Sequence, residues 1–80
     1  MDIEQRVKGI ISEISGYEIE KIDNEAVLNE DLNMDEMDMT ELVTALEKEF
    51  GLTIPDEVVR DQFIEVNDVI DYVKEQREGK

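Results

Sequence analysis

The stretch Asn29–Phe50, NEDLNMDEMDMTELVTALEKEF, is an acidic loop that turns into a helix apolar on one side only. Within it, Met39, Leu42, Val43, Leu46 and Phe50 recur at i, i+3, i+4, i+7 and i+11. At a period of 3.6 residues they form one stripe, which should face a core. Glu36, Met37, Thr40, Glu41, Thr44, Glu47 and Lys48 fall on the other side, so solvent meets carboxylates interrupted by one thioether. Asp35 is suited to the N-cap, because its side chain can accept from backbone N–H groups that lack a partner in the first turn. Glu36 and Asp38 put negative charge where the helix dipole favours it. The helix therefore starts near residue 36.

On its N-terminal side, residues 17–34 lose the helical period and gain turn formers, Asp23, Asn24, Asn29 and Asn33. A connection of this length is uncommon unless it carries function or packs through its own side chains. Ile19, Ile22, Val27, Leu28 and Leu32 are suited to that packing, with a short turn around residues 18–22. Before it, Asp2 and Gln5 have the spacing of a capping box, and Ile3, Val7, Ile10, Ile11 and Ile14 form an apolar stripe that Gly16 ends. This predicts a first helix over residues 3–15.

On the C-terminal side Gly51 stops the second helix. Pro55 suits a helix's first turn, where its missing N–H costs nothing, and predicts a short third helix over residues 56–61. Val66, Val69, Ile70 and Val73 predict a last helix over residues 66–76, with Glu78, Gly79 and Lys80 frayed. The expected fold is all-α, a small four-helix bundle of three main helices and one short third helix, with a long loop between helices one and two. No internal repeat or low-complexity linker is present.

The 80 residues suit one domain, 1–80, with a core of modest size and marginal stability. With 23 acids against 8 bases the net charge is −15, which repels nucleic-acid phosphate and anionic membrane and suits a basic patch on another protein. Salt or divalent cations should stabilise such a fold by screening its self-repulsion. The acidity alone would also suit a disordered chain, but apolar residues at helical period in three separate segments favour a folded one. No Cys or His is present, so disulfides and zinc ligation are excluded. Met1 is followed by Asp2 rather than by a basic and then apolar run, and no stretch reaches membrane-spanning length. A monomer in the cytoplasm is expected, without membrane insertion.

Glu30-Asp31-Leu32, Asp35 opening a helix, Glu41-Leu42-Val43, Ala45-Leu46-Glu47, Glu49-Phe50, Ile54-Pro55-Asp56-Glu57 and Val69-Ile70-Asp71-Tyr72 together resemble the acyl carrier proteins, nearly end to end and in the same order. The resemblance implies a module of fatty acid or polyketide metabolism. It also implies a 4'-phosphopantetheine arm attached to a serine at the start of the second helix, between Asp and Leu. Here the matching tripeptide is Asp35-Glu36-Met37, so the attachment position holds Glu36 and the serine is absent. A phosphodiester needs a hydroxyl, so no cofactor is expected on this chain as written. Ser12 and Ser15 lie in the first helix, and Thr40 lies one turn too far along.

The family's second helix meets basic patches on acyl-chain enzymes, and that surface transfers residue by residue. Asp35, Asp38, Glu41 and Glu47 keep the acidic positions, Met37 stands for an exposed Leu, and Ile54, Asp56 and Glu57 match contacts of the third helix. The expected function is a non-catalytic docking module, either a diverged homologue or a variant in which Glu36 replaces the serine. The alternative is an acidic decoy occupying a basic, nucleic-acid-type groove.

Other chemistry fits poorly. Asp31, Asn33 and Asp35 match the first three ligands of an EF-hand, but that loop needs Gly at its sixth position and Glu at its twelfth, where this chain has Glu36 and Leu42. No specific metal site is expected, only weak screening by divalent ions. An enzyme needs convergent nucleophile, base or metal, and the carboxylates here are too numerous for any pair to be informative. Met34 and Met39 read as packing residues and Met37 as a surface contact.

Overall fold

Helix α1 (Ile3–Ser15) is the element against which both α2 (Glu36–Phe50) and α4 (Val66–Glu78) pack in the computed structural model, which describes residues 2–78. Its stripe lies as the spacing predicts: Val7 and Ile11 are fully buried, and Ile3, Ile10 and Ile14 pack against the core from its margin. At its start the Asp2 carboxylate accepts from the Glu4 N–H at 3.1 Å. The expected box with Gln5 does not appear; the Asp2 carboxylate reaches the second helical N–H instead, and Gln5 is exposed. Gly16 ends the helix at φ 84°, a left-handed conformation that a Cβ would oppose, and its N–H donates to the Ser12 carbonyl.

Helix α2 begins where the sequence places it. Asp35 and Asp38 form a reciprocal capping box: the Asp38 N–H donates to Asp35 Oδ1 at 2.9 Å, and the Asp35 N–H donates to Asp38 Oδ2 at 3.1 Å. Leu42, Leu46 and Phe50 of the stripe are buried, whereas Met39 and Val43 are half-buried at its edge. Gly51, at φ 67°, closes the helix with an N–H bond to the Glu47 carbonyl.

Between α1 and α2 the chain makes a 3₁₀ turn, Ile19–Lys21, and then runs irregularly to Asp35. Ile22, Leu28 and Leu32 are buried as expected, joined by Ala26 and Met34. Val27 is half-buried, but Ile19 is 37% exposed and lies outside the core, because the turn directs it over α1 near Gly9. The backbone of this loop is tied to the segment before α4. Leu28 N–H donates to the Ile64 carbonyl at 2.9 Å, Val66 N–H to the Ala26 carbonyl at 3.0 Å and Asn67 N–H to the Asn24 carbonyl at 2.8 Å. Val27 and Glu65 thereby form an isolated antiparallel bridge, which satisfies backbone groups that the absence of helix would leave unpaired.

Helix α3 (Asp56–Gln62) runs one position beyond the predicted end, and α4 continues to Glu78 rather than stopping at residue 76. Glu78 is thus helical; Gly79 and Lys80 lie outside the described residues. The fold is an all-α bundle of four helices, the third of them short. Every buried side chain among the described residues is apolar, so the charge sits entirely on the outside.

Leu46 is fully buried, and Leu46→Ala should cost about 2–5 kcal/mol in urea unfolding. Because the surface repels itself with a net charge of −15, the melting temperature of the parent chain should rise as sodium chloride is added.

Candidate functional site

The exposed residues gather at the head of α2. Glu36 is its first residue, solvent-exposed, with a carbonyl that accepts from Thr40 Oγ1 at 3.1 Å. Met37 beside it is 78% exposed, the most open large apolar side chain among the described residues. Glu41 continues the exposed face one turn on, and Asp35 and Asp38 flank it while capping each other's backbone. Asp56 and Glu57, also exposed, occupy the first turn of α3, where unpaired N–H groups favour carboxylates.

Two residues expected on this surface are placed elsewhere. Ile54 is 4% exposed and belongs to the core, because the chain folds inward between Gly51 and Pro55 to bury it. Glu47 is half-buried, and its Oε2 accepts the Ile54 N–H at 2.8 Å. That bond ties α2 to the segment leading into α3, so Glu47 acts as a joint between the two helices rather than as a free contact. Of the residues expected at the site, the structure brings Asp35, Glu36, Met37, Asp38 and Glu41 together on α2, with Asp56 and Glu57 on the neighbouring element.

Sequence reasoning missed the space between these helices. A groove of about 620 Å³ lies between α2 and α3, with an apolar lining from Leu28, Met39, Val43, Val59, Phe63 and Ile64. Glu36, Thr40 and Thr44 of α2 and Asp56 and Arg60 of α3 supply polar groups along it. Phe63 is held by an edge-on contact with Tyr72, ring centroids 5.5 Å apart, which fixes one wall. The signal was present in the half-burial that a stripe's edge implies for Met39 and Val43, but pairing them with Val59 required the tertiary fold.

The acids preceding α2 are engaged locally. Asp31 Oδ2 accepts the Val27 N–H at 2.7 Å, and Asn33 adopts φ 57°, so this segment forms a closed turn. Among the described residues no cluster of carboxylates converges on a point where a metal ion would sit.

A family model described as the phosphopantetheine attachment site matches residues 5–73. Two acyl carrier proteins of Nitratidesulfovibrio vulgaris, from strain DP4 and strain Hildenborough, are each 42% identical over 73 residues, which covers 91% of this chain and 95% of theirs. The chain belongs to the acyl carrier protein family. Acyl carrier proteins are non-catalytic carrier modules of fatty acid metabolism, and this chain is accordingly not an enzyme. The family uses phosphopantetheine, whose phosphate forms an ester with a hydroxyl oxygen. At the head of α2 this acyl carrier protein relative presents the carboxylate of Glu36, and Thr40, the nearest hydroxyl along the helix, donates to the Glu36 carbonyl.

Removing the Glu47 carboxylate leaves the Ile54 N–H without its partner, so Glu47→Ala should destabilise by about 1–3 kcal/mol in urea. Glu41→Ala, on the same helix but exposed, should stay within about 0.5 kcal/mol of the parent. Equal effects of the two would place Glu47 on the free surface.

Proposed function

We propose that this chain is an acyl-carrier-fold docking module of fatty acid or polyketide metabolism that does not take a phosphopantetheine arm. It binds basic patches of acyl-chain enzymes through the acidic face of α2. The observation that carries this reading is Glu36: an exposed carboxylate stands where the family's attachment serine is expected, while the face around it stays open and acidic. Asp35, Met37, Asp38 and Glu41, with Asp56 and Glu57 of α3, form the docking surface. Glu47 contributes only its charge, since its carboxylate is engaged by Ile54.

Docking proceeds in two physical stages. The net charge of −15 attracts a basic partner over a distance that salt shortens, which acts mainly on the association rate. Met37, 78% exposed and flexible, then supplies a short-range apolar contact that adapts to different partners. The module acts as a monomer in the cytoplasm, in keeping with its acidic surface; no helix among the described residues is long and apolar enough to cross a membrane.

Intact mass after incubation with coenzyme A and a phosphopantetheinyl transferase tests the missing attachment. The parent chain should gain no mass, whereas Glu36→Ser should be loaded; loading of the parent would make another residue the acceptor. For docking, Glu41→Lys combined with Asp56→Lys should slow association with a basic acyl-chain enzyme about tenfold or more at low salt. An unchanged rate, or displacement of DNA from an unrelated basic groove by the parent chain, would favour the decoy instead.

A further inference from the structure

We infer that the hollow beside Arg77, at the C-terminal end of α2, binds a monocarboxylate on a short apolar stem. The inference goes beyond the docking reading and makes no use of the head of α2. At roughly 1.5 Å per residue, the 15 residues of α2 put this hollow about 20 Å from Glu36. Its volume is about 470 Å³, within the range of small-ligand sites. Phe50, Gly51, Leu52 and Thr53 of the chain leaving α2 form one wall, and Gln76 and Arg77 of α4 form the other.

Charge sets this hollow apart. Of 80 residues 23 are acids, yet no lining residue of the hollow is one, whereas the groove between α2 and α3 has Glu36 and Asp56 on its walls. Glu49, next in sequence to the lining, is paired with Arg6. The carbonyls that end α2 would oppose an anion, but they are occupied. The Glu47 carbonyl accepts from the Gly51 and Leu52 N–H groups at 2.9 and 3.2 Å, and the Phe50 carbonyl accepts from Arg77 Nη1 at 3.2 Å.

The bond to Phe50 also holds the guanidinium in place and leaves its other N–H groups for a ligand, since Arg77 makes no ion pair among the described residues. A planar fork fixed in this way suits the two oxygens of a carboxylate. The Thr53 N–H has no hydrogen-bond partner among the described residues, and the Thr53 hydroxyl and Gln76 amide supply further donors on the two walls. Size and field then select the ligand. Phe50 and Leu52 are the apolar lining, enough for a stem of a few carbons and too little for a long acyl chain. A dianion such as phosphate meets about twice the repulsion that a monoanion meets from a molecule of net charge −15.

The test is an amide-resolved NMR titration of the full chain with sodium butyrate, which replaces sodium chloride at constant ionic strength so that screening stays fixed. Butyrate should shift the Gly51, Leu52, Thr53, Gln76 and Arg77 amides saturably and bind about threefold or more tightly than phosphate. Thr53→Asp puts a carboxylate at an exposed lining position and spares the Arg77–Phe50 bond, and it should weaken butyrate about tenfold or more. Arg77→Lys keeps the charge and loses the fork, and it should weaken butyrate about fivefold or more. Circular dichroism checks that both variants remain helical. A free acid and the C-terminus of another protein present the same carboxylate, and an acetylated Ala-Ala-Leu peptide, as acid and as amide, separates them. Tighter binding of the peptide acid than of butyrate assigns the site to a chain terminus, tighter butyrate assigns it to a free acid, and both uphold it. Shifts no larger with butyrate than with chloride, equal binding of the acid and amide peptides, or full butyrate affinity in Thr53→Asp would overturn the site. Phosphate binding more tightly than butyrate would overturn the choice of ligand.

Discussion

The burial of Val7 and Ile11 between α2 and α4 is the contact on which the rest of this molecule depends. Both side chains are fully buried, and α1 is the helix that touches each of the other two long helices. A chain with a net charge of −15 has little else to hold it together, since no charged side chain among the described residues is fully buried and the surplus of carboxylates at the surface repels itself. Apolar contact that is indifferent to charge supplies the cohesion, and the long loop adds to it by burying Ile22, Leu28, Leu32 and Met34.

The scarce bases are distributed unevenly around that core. Arg6 pairs with Glu49 and lies over the Phe50 ring, its guanidinium carbon 5.6 Å from the centroid. Arg77 donates from Nη1 to the Phe50 carbonyl at 3.2 Å. Both thus serve the C-terminal end of α2, where free carbonyls and the helix dipole favour cations. No base forms an ion pair with the acids at the other end of α2 among the described residues, although Arg60 lies along the same groove as Glu36. The polarity of one helix thereby concentrates the acidic surface around Glu36 and Met37.

A carboxylate on such a helix is not automatically part of that surface. Glu47 and Glu41 share a helix and a charge, yet Glu47 holds the Ile54 N–H and Glu41 faces water. The Glu47 bond helps set how α3 leaves α2, and so shapes the groove that opens between them. A residue placed for structure therefore bears on the site indirectly, through the separation of two walls.

The sequence by itself determined the helices and their starts. Helical period, Asp35 as N-cap, and Gly16 and Gly51 as stops are local facts, decided by residues a few positions apart. Tertiary structure alone decided which members of those patterns are free. Ile54 reads as a surface contact until the chain between Gly51 and Pro55 turns inward, and Glu47 reads as exposed until Ile54 arrives beneath it. The pairing of Asn24, Ala26 and Leu28 with the segment before α4, and the meeting of Val43 with Val59 across a groove, join positions far apart in the chain. Such contacts depend on how complete helices pack, and a periodicity read along one segment holds no information about the partner it will meet.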